Sequence, residues 1–211
     1  LKNIDGTEIN GMGPDIAADQ VSALREKINQ LKAGDILVLA GSIPQSMPDT
    51  IYMDIMADLQ DKGVEIAVDA TRDLLKNVLP YRPFLIKPNN HELGEIFGVE
   101  LKKREEVIPY AKKLQEKGAK NVLVSMAGEG AVLIDENGRE YMSPVPKGKV
   151  VNAVGAGDSM VAGFIAGYLE KKDYEYAFHM GIASGSASAF SEQLATRAEV
   201  EALLKTIHSA G

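Results

Sequence analysis

Gly155-Ala156-Gly157-Asp158 is the stretch of this sequence with the clearest capacity for chemistry. Two β-branched residues, Val150 and Val151, lead into the glycines, and a nearly uninterrupted apolar run to Leu169 follows as a helix. A helix opened by such a turn presents backbone N–H groups without intrahelical partners, and its dipole favours anions at that end. On this reading the amides of Gly155, Ala156 and Gly157 form an anion hole, and the Asp158 carboxylate at its mouth is a general base. Such a carboxylate takes a proton from an alcohol while the hole meets charge on a phosphoryl group in transfer, a reaction that runs largely on positioning and electrostatics. The competing reading is an ordinary glycine turn with Asp158 as the N-cap of the helix. Burial of the apolar helix on all sides is the expectation that tilts the balance toward function. A dinucleotide site is a poor fit, because its fingerprint needs Gly or Ala three residues after the second glycine, where Met160 stands.

Two further stretches carry polar residues at the ends of apolar runs. Lys87-Pro88-Asn89-Asn90-His91-Glu92 follows a strand, and Asn89 and Glu92 share one side of the first helical turn. By spacing alone that pair is a capping box, and Lys87 is a solvated residue at a strand end. Ser125-Met126-Ala127-Gly128-Glu129-Gly130 is, by itself, a glycine turn between strands. Ala187, Ser188 and Phe190 close a helix of small residues whose plain reading is tight packing. His91, His179 and His208 show no ligand spacing, so a zinc site or a nucleophile triad has no basis here.

The elements that must position these residues follow from periodicity. Val21, Leu24, Ile28 and Leu31 recur at helical spacing and stop at Gly34. The continuous apolar run Ile36–Ala40 predicts a strand covered on both faces. After the Gly41–Pro44 loop, a helix carries Ile51, Ile55 and Leu59, and strands are expected at Val64–Val68 and Phe84–Ile86. Helices are expected around Leu74–Val78, over Asn89–Phe97, and through Val107, Ala111 and Leu114. This alternation is the mark of βαβ units on a parallel sheet. Asn121–Ser125, Ala131–Ile134 and Glu140–Ser143 are then three short strands, the last two joined by the Asn137-Gly138 hairpin turn, and they finish the sheet with antiparallel edges. The last third is helical, with Thr196 and Glu199 forming a capping box before Leu203, Leu204 and Ile207. Gly6–Asn10 reads as a strand fragment without a neighbour.

Composition bounds the function. The chain has 211 residues, 45% hydrophobic and 25% charged, ordinary values for one α/β domain spanning 1–211. A net charge of −7 argues against a nucleic-acid or anionic-membrane partner. No cysteine is present, which points to a cytoplasmic location, and no apolar run reaches the roughly 18 residues of a membrane span.

The run Asn152-Ala153-Val154-Gly155-Ala156-Gly157-Asp158-Ser159-Met160-Val161-Ala162-Gly163 resembles the C-terminal signature of the ribokinase-like (PfkB) carbohydrate kinases, in their sugar-phosphate branch. The resemblance implies a three-layer ribokinase-like α/β fold, a mainly parallel sheet with antiparallel edge strands and helices on both faces. It implies Asp158 as the base that deprotonates the acceptor hydroxyl, and Gly155, Ala156 and Gly157 as the anion hole. It assigns Asn89 and Glu92, an Asn-x-x-Glu motif, to Mg²⁺ through water, and Lys87 to the ATP phosphates. Ser125, Met126, Ala127, Gly128, Glu129 and Gly130 correspond to a loop lining the ATP site, and Ser188 falls where the family closes over adenine. Many members carry Asp-Thr where this chain has Asn152-Ala153. The implied activity is ATP-dependent phosphorylation of a ketohexose phosphate: fructose 1-phosphate first, tagatose 6-phosphate second, with a non-catalytic nucleotide- or sugar-binding module as the third reading. On the same resemblance the chain corresponds to the C-terminal part of a family member. Residues 1–14 are then a remnant of the lid or connecting region, with the first strands and most of the lid upstream. The expectation is a chain that keeps a nucleotide half-site with little activity, and a full-length protein that pairs as a homodimer.

Overall fold

The structure, a computed structural model, describes residues 15–208. The strand fragment at Gly6–Asn10, with Glu8 and Asn10, and the remnant assigned to 1–14 lie outside the described residues.

Six strands form one sheet in sequence order: β1 (Ile36–Ala40), β2 (Glu65–Asp69), β3 (Leu85–Ile86), β4 (Asn121–Ser125), β5 (Ala131–Ile134) and β6 (Glu140–Ser143). The first four run parallel, and β4–β5 and β5–β6 are antiparallel, as the hairpin turn requires. Alternation along each strand divides the core in two. Ile66, Val68, Ile86, Val122, Val124, Val132 and Ile134 face helices α1 (Ala18–Ile28), α2 (Ile51–Asp58), α3 (Arg72–Val78), α4 (Asn90–Phe97) and α5 (Arg104–Glu116). Ala67, Leu85, Leu123, Ala131 and Leu133 face α6 (Ala156–Lys171) and α7 (Tyr174–Ala189), and α8 (Arg197–His208) packs on α7. The three layers match the expected architecture. Among the described residues no helix is long and apolar enough to cross a membrane.

Two expectations about burial fail. In β1, Leu39 is 6% exposed but Val38 is 45% exposed, and Ala40 also faces solvent. The strand pairs only with β2 among the described residues, and the helical layer that packs on Ala67 does not reach it. Its apolar run therefore reads as a strand covered twice although one face is open. Helix α6 is likewise one-sided: Val161, Gly163, Phe164 and Gly167 are buried, while Ala162, Ala166 and Leu169 are exposed. Its glycines face α7: a Cβ on Gly163 would stand 2.7 Å from Met180 O, and one on Gly167 would stand 3.0 Å from Ala177 Cα. A Cβ on Gly185 of α7 would stand 3.0 Å from Ala156 O, and one on Gly181 would stand 3.0 Å from Met160 O. The first turn of α6 is thus seated directly on a neighbouring helix.

Candidate active site

The carboxyl ends of β1 to β4 and the first turn of α6 converge on one region, as ligand sites in α/β sheets do. Gly155 is the N-cap of α6 with φ +77°, a left-handed conformation that a side chain adopts only at a cost. Ala156 and Gly157 open the helix, and Asp158 is its third residue, exposed and free of any capping bond. The reading of Asp158 as N-cap is therefore set aside by the position of Gly155.

The amides of this turn are not equivalent. Ala156 N donates to Ala153 O at 3.2 Å, and Val154 N donates to the Asn152 side-chain oxygen at 3.0 Å. Ser159 N makes the first helical bond, to Gly155 O. Among the described residues the N–H groups of Gly155, Gly157 and Asp158 donate to no protein acceptor. The expected trio of Gly155, Ala156 and Gly157 thus has its middle member engaged in the turn. Asn152 organises that turn, and its Nδ2 also donates to Glu192 O at 3.4 Å.

Lys87 is not a solvated strand-end residue. It is 7% exposed, and its Nζ lies 3.2 Å from Asp69 Oδ2. A Cβ on Gly157 would stand 3.3 Å from that Nζ, so the ammonium lies against the first turn of α6. Burial pushes the Asp69 carboxyl above its ordinary value, Lys87 opposes the shift, and the charge of Asp158 adds to it. Asp69, Lys87 and Asp158 therefore share one electrostatic neighbourhood. Sequence reading missed Asp69, which sits one residue beyond the apolar run of β2; a carboxylate at the carboxyl end of a buried strand was the available signal.

Asn89 and Glu92 form the reciprocal capping box that their spacing predicts. Asn89 N donates to Glu92 Oε2 at 2.8 Å, and Glu92 N donates to Asn89 Oδ1 at 2.8 Å. Both are half-buried at the start of α4. Among the described residues no three acidic or His side chains are grouped to hold a metal ion. A Mg²⁺ ion held mostly by water and phosphate asks for no such cage, so one half-buried carboxylate fits it.

The glycine loop stands beside this box, since Asn89 bridges to Ser125 and Ser125 N donates to Pro88 O. Met126 turns inward and is 3% exposed, leaving Ala127, Gly128 and Glu129 on the surface. Arg104 at the start of α5 donates to Glu129 O at 2.9 Å, a link that sequence gave no reason to expect. Ser188 is buried. Its hydroxyl donates to Ser159 Oγ at 2.9 Å and accepts from Ala195 N at 3.1 Å, tying α7 to the turn after Asp158. His91 is exposed. The Gly41–Pro44 loop lies next to Asp69, whose carbonyl accepts from Gly41 N.

A carboxylate, unpaired amides at a helix start and a buried ammonium are chemically able to move an anionic group onto a hydroxyl. Comparisons with known proteins identify the family. The profile of the pfkB family carbohydrate kinases matches residues 2–201. The chain is 48% identical over 207 residues to a 1-phosphofructokinase of Bacillus subtilis (strain 168), covering 98% of this chain and 68% of the relative. A D-tagatose-1-phosphate kinase of Bacillus licheniformis is 34% identical over 188 residues, covering 89% of this chain and 62% of that one. Among solved structures, a Staphylococcus aureus protein described as a phosphofructokinase superposes with a TM-score of 0.88 at 41% identity, covering 94% of this chain and 65% of that one. The chain thus spans about two thirds of the length of these relatives. With the fold, the anion turn and a match over nearly its whole length in agreement, the chain belongs to the pfkB family of carbohydrate kinases.

Proposed function

We propose that this chain carries the phosphoryl-transfer half of a kinase that moves the γ-phosphoryl group of ATP onto a hydroxyl of a ketohexose 1-phosphate. Fructose 1-phosphate is the first substrate, giving fructose 1,6-bisphosphate and ADP. The observation that carries the reading is the exposed Asp158 carboxylate in the same helical turn as the unpaired amides of Gly155 and Gly157.

Asp158 takes the proton of the attacking hydroxyl as the new oxygen–phosphorus bond forms and the bond to the β-phosphate oxygen breaks. The amides of Gly155 and Gly157 meet the charge on the phosphoryl oxygens, and the amide of Ala156 holds the turn in shape. Lys87 supplies a full positive charge beneath the same turn. The surface of the Ser125–Gly130 loop and the end of α7 flank the nucleotide, with Ser188 acting through Ser159 because its hydroxyl is already engaged. A bound Mg²⁺ would supply charge neutralisation at the phosphates. Asn89 and Glu92 would hold it through water.

Tagatose 1-phosphate is the second reading, favoured over the 6-phosphate because the tagatose kinase relative is named for the 1-phosphate. The gene product containing this chain, given ATP and Mg²⁺, is expected to turn over fructose 1-phosphate with the higher kcat/KM. Asp158→Asn is expected to lower kcat about 1000-fold while leaving ATP affinity within about twofold. Surviving turnover would remove the base assignment. No product from either sugar would overturn the reading.

A further inference from the structure

We propose that Asp69 is a positioning residue for phosphoryl transfer, acting through Lys87. On this view its carboxylate holds the lysine ammonium against Gly157, beneath the anion turn. The proposal rests on the kinase reading above.

The backbone brings the pair together. Val68 and Ile86 are register partners in β2 and β3, and Lys87 N donates to Val68 O at 3.3 Å, so Asp69 and Lys87 leave adjacent strands side by side. The carbonyl of Asp69 is fixed from the other strand by Gly41 N at 3.1 Å. The carboxylate therefore sits on rigid backbone, which a positioning group requires.

The side chains then decide where the charge goes. A lysine at a strand end ordinarily extends its ammonium into water. Here the Lys87 side chain is 8% exposed and its ammonium lies 3.2 Å from Asp69 Oδ2, while the Asp69 side chain is 20% exposed. A buried ammonium needs a partner, and among the described residues Asp69 is the carboxylate within ion-pair distance of it. Gly157 completes the arrangement, because a side chain there would press on Nζ. The series is carboxylate, ammonium, helix start, with the ammonium added to the positive end of the α6 dipole.

Asp158 gives Asp69 a second purpose. Burial disfavours ionisation of the Asp69 carboxyl, and the charge of Asp158 adds to that effect. Lys87 thus stands between the Asp69 carboxylate and the helix start that carries Asp158 one residue beyond Gly157. Without Asp69, the ammonium would be free to turn toward Asp158, the proposed base, which follows Gly157 in the same helical turn. Pairing there would take the ammonium off the phosphoryl site and occupy the group that must accept a proton.

The test uses the gene product containing this chain, with ATP, Mg²⁺ and fructose 1-phosphate. Asp69→Asn is expected to lower kcat about 100-fold with the KM of the sugar phosphate within about threefold, the pattern of a misplaced transition-state charge. Lys87→Met is expected to lose at least as much, and the double variant no more than Lys87→Met alone. Asp69→Glu, which keeps the charge, is expected to recover most of the loss. Losses that multiply in the double variant, or an Asp69→Asn enzyme as fast as the parent, would overturn the proposal while leaving the kinase reading intact. A parent enzyme without kinase activity on any ketohexose phosphate would overturn both. A second measurement does not depend on turnover. In the present chain the Lys87 ammonium is expected to give a slowly exchanging side-chain NMR signal that Asp69→Asn abolishes. An unchanged signal would mean that Asp69 does not hold it.

Discussion

Asn89 and Glu92 satisfy each other at the start of α4: each backbone N–H donates to the other's side chain at 2.8 Å. Glu92 uses Oε2 in this box, and a glutamine would preserve the acceptor without the charge. Glu92→Gln is therefore expected to stay within about 0.5 kcal/mol of the parent in a denaturant titration. If its charge serves Mg²⁺ through water, the Mg²⁺ concentration needed for half-maximal turnover should rise about tenfold. Glu92→Ala should show that rise and also lose about 1 kcal/mol of stability. A Gln variant with an unchanged Mg²⁺ requirement would reduce Glu92 to a cap.

Gly130 ends the exposed turn of the Ser125–Gly130 loop with φ +97°, and a Cβ there would approach Pro144 Cα to 2.8 Å. Backbone strain and overpacking act together at this position. Gly130→Ala is expected to cost about 3 kcal/mol in thermal or urea unfolding. Gly128→Ala, where a Cβ meets nothing within 4 Å, is expected to cost less than about 1 kcal/mol.

Adjacent residues of β1 should respond in opposite ways. Leu39→Ala empties a site that is 6% exposed and should cost about 3 kcal/mol. Val38→Thr, at a site 45% exposed, should change the stability of this chain by no more than about 0.5 kcal/mol. Equal costs would mean that the second face of β1 is covered in solution.

Glu199 and Asp69 contribute to acid stability with opposite signs. Hydrogen bonds from the Thr196 amide and hydroxyl hold the Glu199 carboxyl below its ordinary value of 4.5. Its contribution is therefore present above that value and lost as pH falls through the folded one. Asp69, raised above 3.8 chiefly by burial, contributes stability below that value and loses it as pH rises through the folded one. Glu199→Gln is expected to lose less stability than the parent between about pH 6 and about pH 3, measured by urea titration at each pH.

Much of this molecule is legible along the chain because the determining interactions are local. Period-two alternation in Asn121–Ser125 and Ala131–Ile134 sorts residues to two faces whatever packs there. The Thr196/Glu199 and Asn89/Glu92 boxes close within one helical turn, so spacing alone reveals them. Burial was read less well. The apolar runs of β1 and α6 predict cover on every side, yet Val38 and Leu169 are exposed, because cover depends on where other layers end.

Four consecutive residues set the glycine turn and the aspartate beside it. A glycine in the left-handed region, a helix start and an aspartate three residues on are consequences of backbone chemistry over four residues. Tertiary structure decided what stands around that turn. Strand register set Asp69 beside Lys87, residues 18 positions apart in the chain. The close seating of α6 on α7 turned Ser188 inward to Ser159, and the approach of Gly157 to Lys87 put a buried charge under the site. Such relations depend on the meeting of elements remote in sequence, and no spacing along the chain encodes the distance between them.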